Sequence, residues 1–475
     1  MPDQTAGGEI NNGYTSGSDN FNVNQEIVVG STSVSYTPTF TTGYTITYVD
    51  NNNNAISDLT SVYDGTKEVI LPKYQPEGYI FEGWYDNLDY SGNVITNINA
   101  SESGDKVYYA KLTKGVNIIV DSTLTEKTNG EVVSVDGINY TFGTTAYASV
   151  IDAINYANTL VDAGVICINV LPGEYNYVDN ANSVTLTASN IKIVGPNANI
   201  NGNETRLDEA TIDNLFIIFN PNLQNVEFNG LKFTGNSKIY CRDTTYGTSI
   251  NGFKFNYNYV VSTNSVAAVW SSQSSGFIEF DAAKTYYSKN IEITNNYFAH
   301  DLTNNTTSKY ETELIALDNV SNLNISNNTF NNIKDNAIHV YDTNRGLSGE
   351  TCKFNNNTFN TVNGDAIKVN WIAPDVSKGT NNTIEFDNNN FNGVVGSCIY
   401  IGYDGTAGNS VDLYKKISFS DNVFNSAAEN FIYINKCFVN WTIVIDNNIY
   451  NYVPSGYYVY AYTTQAENIL YPKNN

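Results

Sequence analysis

The chain has 475 residues, 48 acidic against 24 basic, for a formal net charge of −24 at pH 7; a surface of that sign repels phosphate backbones and argues against nucleic acid as a partner. Apolar side chains make up 41% of the sequence, enough for a large core, yet no run reaches membrane-spanning length, so insertion by an apolar helix is not expected. Cys167, Cys241, Cys352, Cys398 and Cys437 lack close spacing and metal-type pairing; they read as small apolar fillers and imply neither a disulfide framework nor a zinc site.

The first residues lack the basic, apolar and small-residue succession of a secretion signal. Two explanations stay open: a signal already removed, or a different route out of the cell, such as a virion freed by lysis. Residues 1–42 are rich in Gly, Ser, Thr and Asn, with short alternating stretches at 26–30 and 34–36, and read either as an anchoring or oligomerisation arm or as a flexible linker. Between 43 and 113 the pattern changes to strands at 44–48, 69–72, 77–85 and 107–112 separated by turns at 51–54 and 63–65. Tyr79, Phe81 and Trp84 are the expected core of that unit. A β-rich connector (114–139) leads to residues 147–160, where Val150, Ile151, Ile154 and Ala157 share one helical face, and then to an apolar strand near 165–170.

From 293 to 450 one pattern recurs six times: apolar, any residue, Asn or Asp, Asn, any residue, aromatic. The copies end at Phe298, Phe330, Phe359, Phe391, Phe424 and Tyr450, a spacing that marks a solenoid. Four are followed, at fixed phase, by two apolar residues around a variable one, beginning at Ile338, Ile367, Ile399 and Ile432. Such a triplet is a strand with its apolar residues in the lumen, leaving His339, Lys368, Tyr400 and Tyr433 as a row facing water. Two residues on come Tyr341, Asn370, Gly402 and Asn435. The paired asparagines suit a sharp left-handed bend and a ladder of amides, with Phe ladders beside them. Weaker copies at 228–233 and 255–260, and Ile191 with Ile193, extend the repeat upstream. The expected fold is all-β: a right-handed parallel β-helix over 140–475, preceded by a small β-grasp-like module and a polar arm.

The Tyr-Asp-Gly at 63–65, Leu71-Pro72, residues 78–85 and the closing Tyr-Ala-Lys-Leu at 109–112 resemble the Listeria–Bacteroides repeat, the internalin-type B-repeat. That resemblance implies a spacer module of bacterial surface proteins. The Ala/Ile-rich helix followed by Leu-Pro-Gly-Glu-Tyr at 171–175 is similar to the entry cap of pectate-lyase-like β-helix proteins, a superfamily that spans lyases, hydrolases, phage tailspikes, fibres and adhesins. Fold alone does not choose among these.

For β-elimination the chain offers Arg206, Arg242 and Arg345, none in a lyase motif. For hydrolysis, which needs two carboxyl groups across the scissile bond, the candidates are Asp365, in a Gly-Asp-Ala-Ile segment, and Asp335, in a segment of similar phase one coil earlier, but the companion residues of the hydrolase signature are missing. Both are ordinary turn aspartates on the plainer reading. His339, beside Asp342 and expected to face solvent, could pair with an acid, and His300 precedes a polar insertion at 302–310. What remains is a binding surface of His339, Tyr341, Lys368, Trp371, Tyr400, Tyr403 and Tyr433, whose ring faces are expected to stack on sugar or on apolar protein. The expected function is therefore a non-enzymatic virion fibre, of head or tail, contacting host-surface glycan or protein; a bacterial cell-surface adhesin and a polysaccharide depolymerase are the alternatives. Its implied place is a virion or the cell exterior, with capsid or tail proteins bound through the arm and a homotrimer as one expected assembly. No cofactor or metal ligand set is implied; bound Ca²⁺ is left open.

Overall fold

The computed structural model describes residues 9–16, 19–21, 35, 37–57, 59, 62–178, 182–242, 250–263, 276–281, 288–301, 313–318, 320–342, 350–371, 382–402, 414–426, 428–435, 442–461 and 469–470. They form two compact units. In the first, Glu9–Ser16 lies between Asp19–Phe21 and Thr37–Thr42 in an antiparallel sheet, so part of the presumed arm is folded; residues 26–30 lie outside the described residues. The same unit pairs Tyr44–Val49 in parallel with the N-terminal part of Lys106–Val120, which also runs antiparallel to Tyr79–Tyr85. Trp84, 2% exposed, packs with Ile46, Tyr48, Tyr63, Ile98 and Tyr108, its ring 4.7 Å from that of Tyr48 and 5.0 Å from that of Phe81. Its indole N–H donates to the Pro72 carbonyl at 2.7 Å. Phe81 joins this cluster as expected, whereas Tyr79 is only half-buried and stays outside it. Gly83 has φ +132°, and a Cβ there would come within 2.4 Å of Val94 Cγ1, which is why glycine precedes the tryptophan.

The second unit is the parallel β-helix that the repeat implies. Each coil contributes one strand to each of three sheets, and each strand pairs in parallel with its equivalent in the next coil. The first sheet runs from Val165–Val170 to Ile469–Leu470. The second and third have ten strands each, from Gly173–Asn176 to Ile449–Tyr450 and from Ser183–Leu186 to Val459–Ala461. The helix Val150–Ala157 starts at Ser149, whose hydroxyl accepts from the Ile151 amide, and packs against Ala146–Tyr147 and Ser183–Leu186. It buries Val150, Ala153, Ile154 and Ala157; Ile151, expected on that face, is half-exposed because Ala153 takes its place. Near the C-terminus Val459–Ala461 adds another rung to the third sheet, paired with Asn430–Ile434.

The two asparagines of the repeat do different work. The first of each pair, Asn295, Asn327, Asn356, Asn388, Asp421 and Asn447, has φ between 52° and 60°, the left-handed bend between first and second sheets. The second forms a column, Asn258, Asn296, Asn328, Asn357, Asn389, Asn422 and Asn448, of which all but the half-exposed Asn448 are buried. Within it, each backbone N–H and each Nδ2 donates to the Oδ1 of the next coil's asparagine, as for Asn357 to Asn389 at 3.0 and 3.2 Å. Nδ2 also donates backwards to a main-chain carbonyl, that of Ile325 at 2.8 Å for Asn357. The buried side-chain amides are thereby hydrogen-bonded at both nitrogen and oxygen, which offsets the cost of taking them out of water. In the lumen, Phe298, Phe330, Phe359, Phe391, Phe424 and Tyr450 stack face to face at 4.9 to 5.2 Å, and Phe354, Phe386 and Phe419 form a second stack. One excursion from the coils is pinned by Arg206, whose guanidinium pairs with both Glu209 oxygens and donates to the carbonyls of Tyr257 and Leu231.

Candidate functional site

The third sheet aligns the apolar-x-apolar triplets in register: Ile338 opposite Ile367, then Ile399, then Ile432. The middle residue of each triplet points away from the lumen. From coil to coil this outward row reads Tyr240, Glu279, Ala316, His339, Lys368, Tyr400, Tyr433 and Tyr460. A second, polar row lies two residues before each lumen isoleucine: Glu313, Asn336, Asp365, Ser397 and Asn430. It is stitched across coils, with the Asp365 N–H donating to Asn336 Oδ1 at 2.8 Å and the Ser397 N–H to Asp365 Oδ1 at 2.7 Å.

Glu313 is fully buried. Its carboxylate accepts from Asn336 Nδ2 at 3.2 Å and, over a long 3.5 Å, from the Tyr341 hydroxyl, and it shares a hydrogen bond with His339 Nδ1. The His339 ring stacks on Tyr341 with centroids 3.8 Å apart. His339, expected to face water, is 1% exposed: a buried carboxylate has to be matched by donors, and the next coil supplies them. Its Nε2 is buried without a hydrogen-bond partner among the described residues. The Asp342 side chain, expected beside it, lies outside the described residues. Asp365 is half-buried; burial raises its pKa, opposed by the Ser397 N–H and by Lys368. Asp335 sits at a corner, its carbonyl accepting from the Gly364 N–H. Asp335 is the equivalent of Gly364 in the next coil, one residue out of phase with Asp365, which aligns with Asn336 as a rung of the polar row. His300 belongs to the second sheet, on Tyr297–His300. It is 5% exposed, accepts from the Lys334 N–H at 3.0 Å, and burial pushes its pKa down to about 4.

Further along the outward row the character changes. Tyr400 and Tyr433 stack at 5.5 Å and 11°, and Tyr433 and Tyr460 at 4.8 Å and 13°, with the Lys368 ammonium 6.0 Å from the Tyr400 ring centre. All four side chains are half-exposed. Gly402 makes room for this: an added Cβ would lie 2.5 Å from Tyr400 Cε1 and 2.9 Å from its hydroxyl, so the ring rests on the bare backbone. The tyrosine faces, expected to meet a ligand, are turned toward one another because successive coils set them in register. Trp371 ends the strand Ile367–Trp371, opposite Asp342; its side chain and the whole of Tyr403 lie outside the described residues.

Sequence reasoning missed Glu313 and Tyr460. The polar residue two places before each triplet was a signal for the first, recurring as Glu, Asn, Asp, Ser and Asn. Tyr460 escaped because its triplet, Val459 to Ala461, begins nine residues after Tyr450 rather than eight and ends in alanine. Among the described residues no three His, Cys, Asp or Glu side chains assemble as a metal site. Cys167, Cys241, Cys352 and Cys398 are buried and free, while Cys437 lies outside the described residues. No described helix is long and apolar enough to cross a membrane. No curated protein and no solved structure matches the chain. The Listeria-Bacteroides repeat domain matches residues 44–111, the stretch whose Gly-Trp core is described above.

Proposed function

We propose that this protein is a non-enzymatic recognition fibre carried outside the cell, on a phage virion as a head or tail fibre, and that its third-sheet wall contacts host-surface glycan or protein. The observation that carries this reading is the half-exposed ladder from Lys368 to Tyr460, four outward side chains in register on a rigid scaffold. Capsid or tail proteins take the N-terminal segment, and the B-repeat-like module serves as a spacer. A bacterial adhesin uses the same wall and differs only in what anchors it. Immunogold labelling of the producing cells and of the particles they release tests this. Label is expected on particle fibres; label on the cell envelope favours the adhesin, and label confined to the cytosol refutes both.

A depolymerase is the second reading, and one observation favours it: Glu313 and His339 form a buried acid–imidazole pair, with His339 Nε2 unmatched, on the same wall as Asp365. It predicts release of reducing ends or unsaturated sugars from polysaccharide, abolished by Glu313→Gln. Absence of such products across a polysaccharide panel removes it.

A further inference from the structure

Resting on the recognition reading, we infer that the Lys368–Tyr400–Tyr433–Tyr460 ladder takes a linear, uncharged glycan laid along the coil axis, held by tyrosine hydroxyls and ring edges rather than by stacking on ring faces. The geometry closes the faces. Tyr433 is sandwiched between Tyr400 at 5.5 Å and Tyr460 at 4.8 Å, and Tyr400 carries the Lys368 ammonium on its other side. A sugar ring cannot enter gaps already filled by van der Waals contact between phenol rings. What the wall offers is one ring edge and one hydroxyl per coil. A phenol hydroxyl donates one hydrogen bond and accepts others, so it keeps capacity for a ligand whatever its protein partner.

Period and charge select the occupant. Coils rise by about 4.8 Å, whereas an extended peptide repeats like-facing groups about every 6.8 Å, so a peptide strand falls out of step by the third ring. A glycan bears hydroxyls on every sugar and suffers no such mismatch. Among the described residues the charges beside the ladder are the cation Lys368 and the anions Asp365 and Glu429, Asp365 being in electrostatic contact with both, and the other neighbours are Ser397, Asn430, Asn435 and Gly402. In a chain of net charge −24, one lysine against two carboxylates accepts a neutral polymer, while an anionic one meets repulsion that these described groups do not offset.

Titration calorimetry of the full chain with cello-, xylo-, manno- and chito-oligosaccharides, and with oligogalacturonate as the anionic arm, tests the inference on wild type, Tyr400→Phe, Tyr433→Phe, the double variant and Tyr433→Ala. At least one neutral oligosaccharide is expected to bind. Each Phe variant is expected to weaken it about fivefold and the pair about 25-fold, the loss of one and two net hydrogen bonds. Unchanged thermal unfolding midpoints identify the loss as one of binding. Full affinity in the Phe variants with loss only in Tyr433→Ala overturns the hydroxyl row, and preference for oligogalacturonate overturns the neutral ligand. A wild type that binds none of the five probes overturns the glycan inference. If that protein still attaches to host cells, or self-associates through the ladder until Tyr433→Ala separates the copies, the surface has a protein partner; loss of host attachment as well removes the recognition reading itself.

Discussion

Lowering the pH titrates one group whose cost can be worked from its surroundings. His300 is 5% exposed and accepts a hydrogen bond from the Lys334 amide, which requires the neutral imidazole. Burial, reinforced by Lys334, pulls its pKa from 6.5 down to about 4. In the unfolded chain the imidazole protonates near 6.5 and in the fold only near 4, so between these values the unfolded state binds more protons. The full stability is present above pH 6.5 and is lost progressively as pH falls to about 4. At about 1.4 kcal/mol per pH unit the loss is on the order of 3 kcal/mol. Carboxylates titrate in the same range, so the informative quantity is the difference between wild type and His300→Asn, which keeps an acceptor for the Lys334 amide. Urea unfolding at intervals from pH 7.5 to 4 is expected to show that difference shifting toward the variant by about 3 kcal/mol. With two histidines in the chain, imidazole resonances give a direct check. A stability difference that stays flat with pH, or a His300 resonance that titrates near 6.5, refutes the reasoning.

The asparagine column gives a paired prediction. Asn357→Ala leaves the Asn328 N–H and Nδ2 without their Oδ1 acceptor and the Ile325 carbonyl without a donor, and is expected to cost about 3 kcal/mol in urea unfolding. Its neighbour Asn356, at φ 58°, is expected to accept Gly with a change below about 1 kcal/mol and to reject Val. Phe391→Ala removes a ring stacked at 5.2 Å on both sides, and a loss of about 3–5 kcal/mol is expected by the same assay. Arg206→Ala takes the cation from Glu209, which keeps only the Asn197 amide among the described residues, and one donor each from the carbonyls of Ile200, Leu231 and Tyr257; a penalty of about 3 kcal/mol, seen as faster hydrogen exchange in residues 195–209, is expected from mass spectrometry.

The solenoid was legible because one residue pair performs two tasks at fixed phase. The position before each column asparagine only has to bend left-handed, so Asp421 and Tyr257 serve where Asn stands in the other coils; the column position needs both a donor and an acceptor, so only Asn recurs. The Gly-Trp motif was similarly readable, since Gly83 is required by both its dihedral and Val94. The Glu313–His339 pair was not, because a charge is matched by whatever donors the neighbouring coil holds, and those leave no period. Arg206 was hidden for a related reason: its acceptors at Tyr257 and Leu231 are main-chain carbonyls, which carry no residue identity. The direction of the tyrosine faces was hidden too, since alternation tells which side of the sheet a ring leaves from and not how its neighbour tilts it.

The amide column makes the coil the unit in which this molecule can change length. Asn328 meets Asn357 as Asn357 meets Asn389, so deleting one whole turn would rejoin identical surfaces and leave both ends unaltered. A fractional insertion has to leave through a corner, and the corner between first and second sheets cannot host it, because Asn355 and Thr358 are separated by only the bend residue and the column residue. Growth in diversity is therefore left to the connections that follow the second and third sheets, as between Tyr297–His300 and Ile315–Leu317 or between Ile367–Trp371 and Asn382–Glu385, where added residues leave the amide column intact.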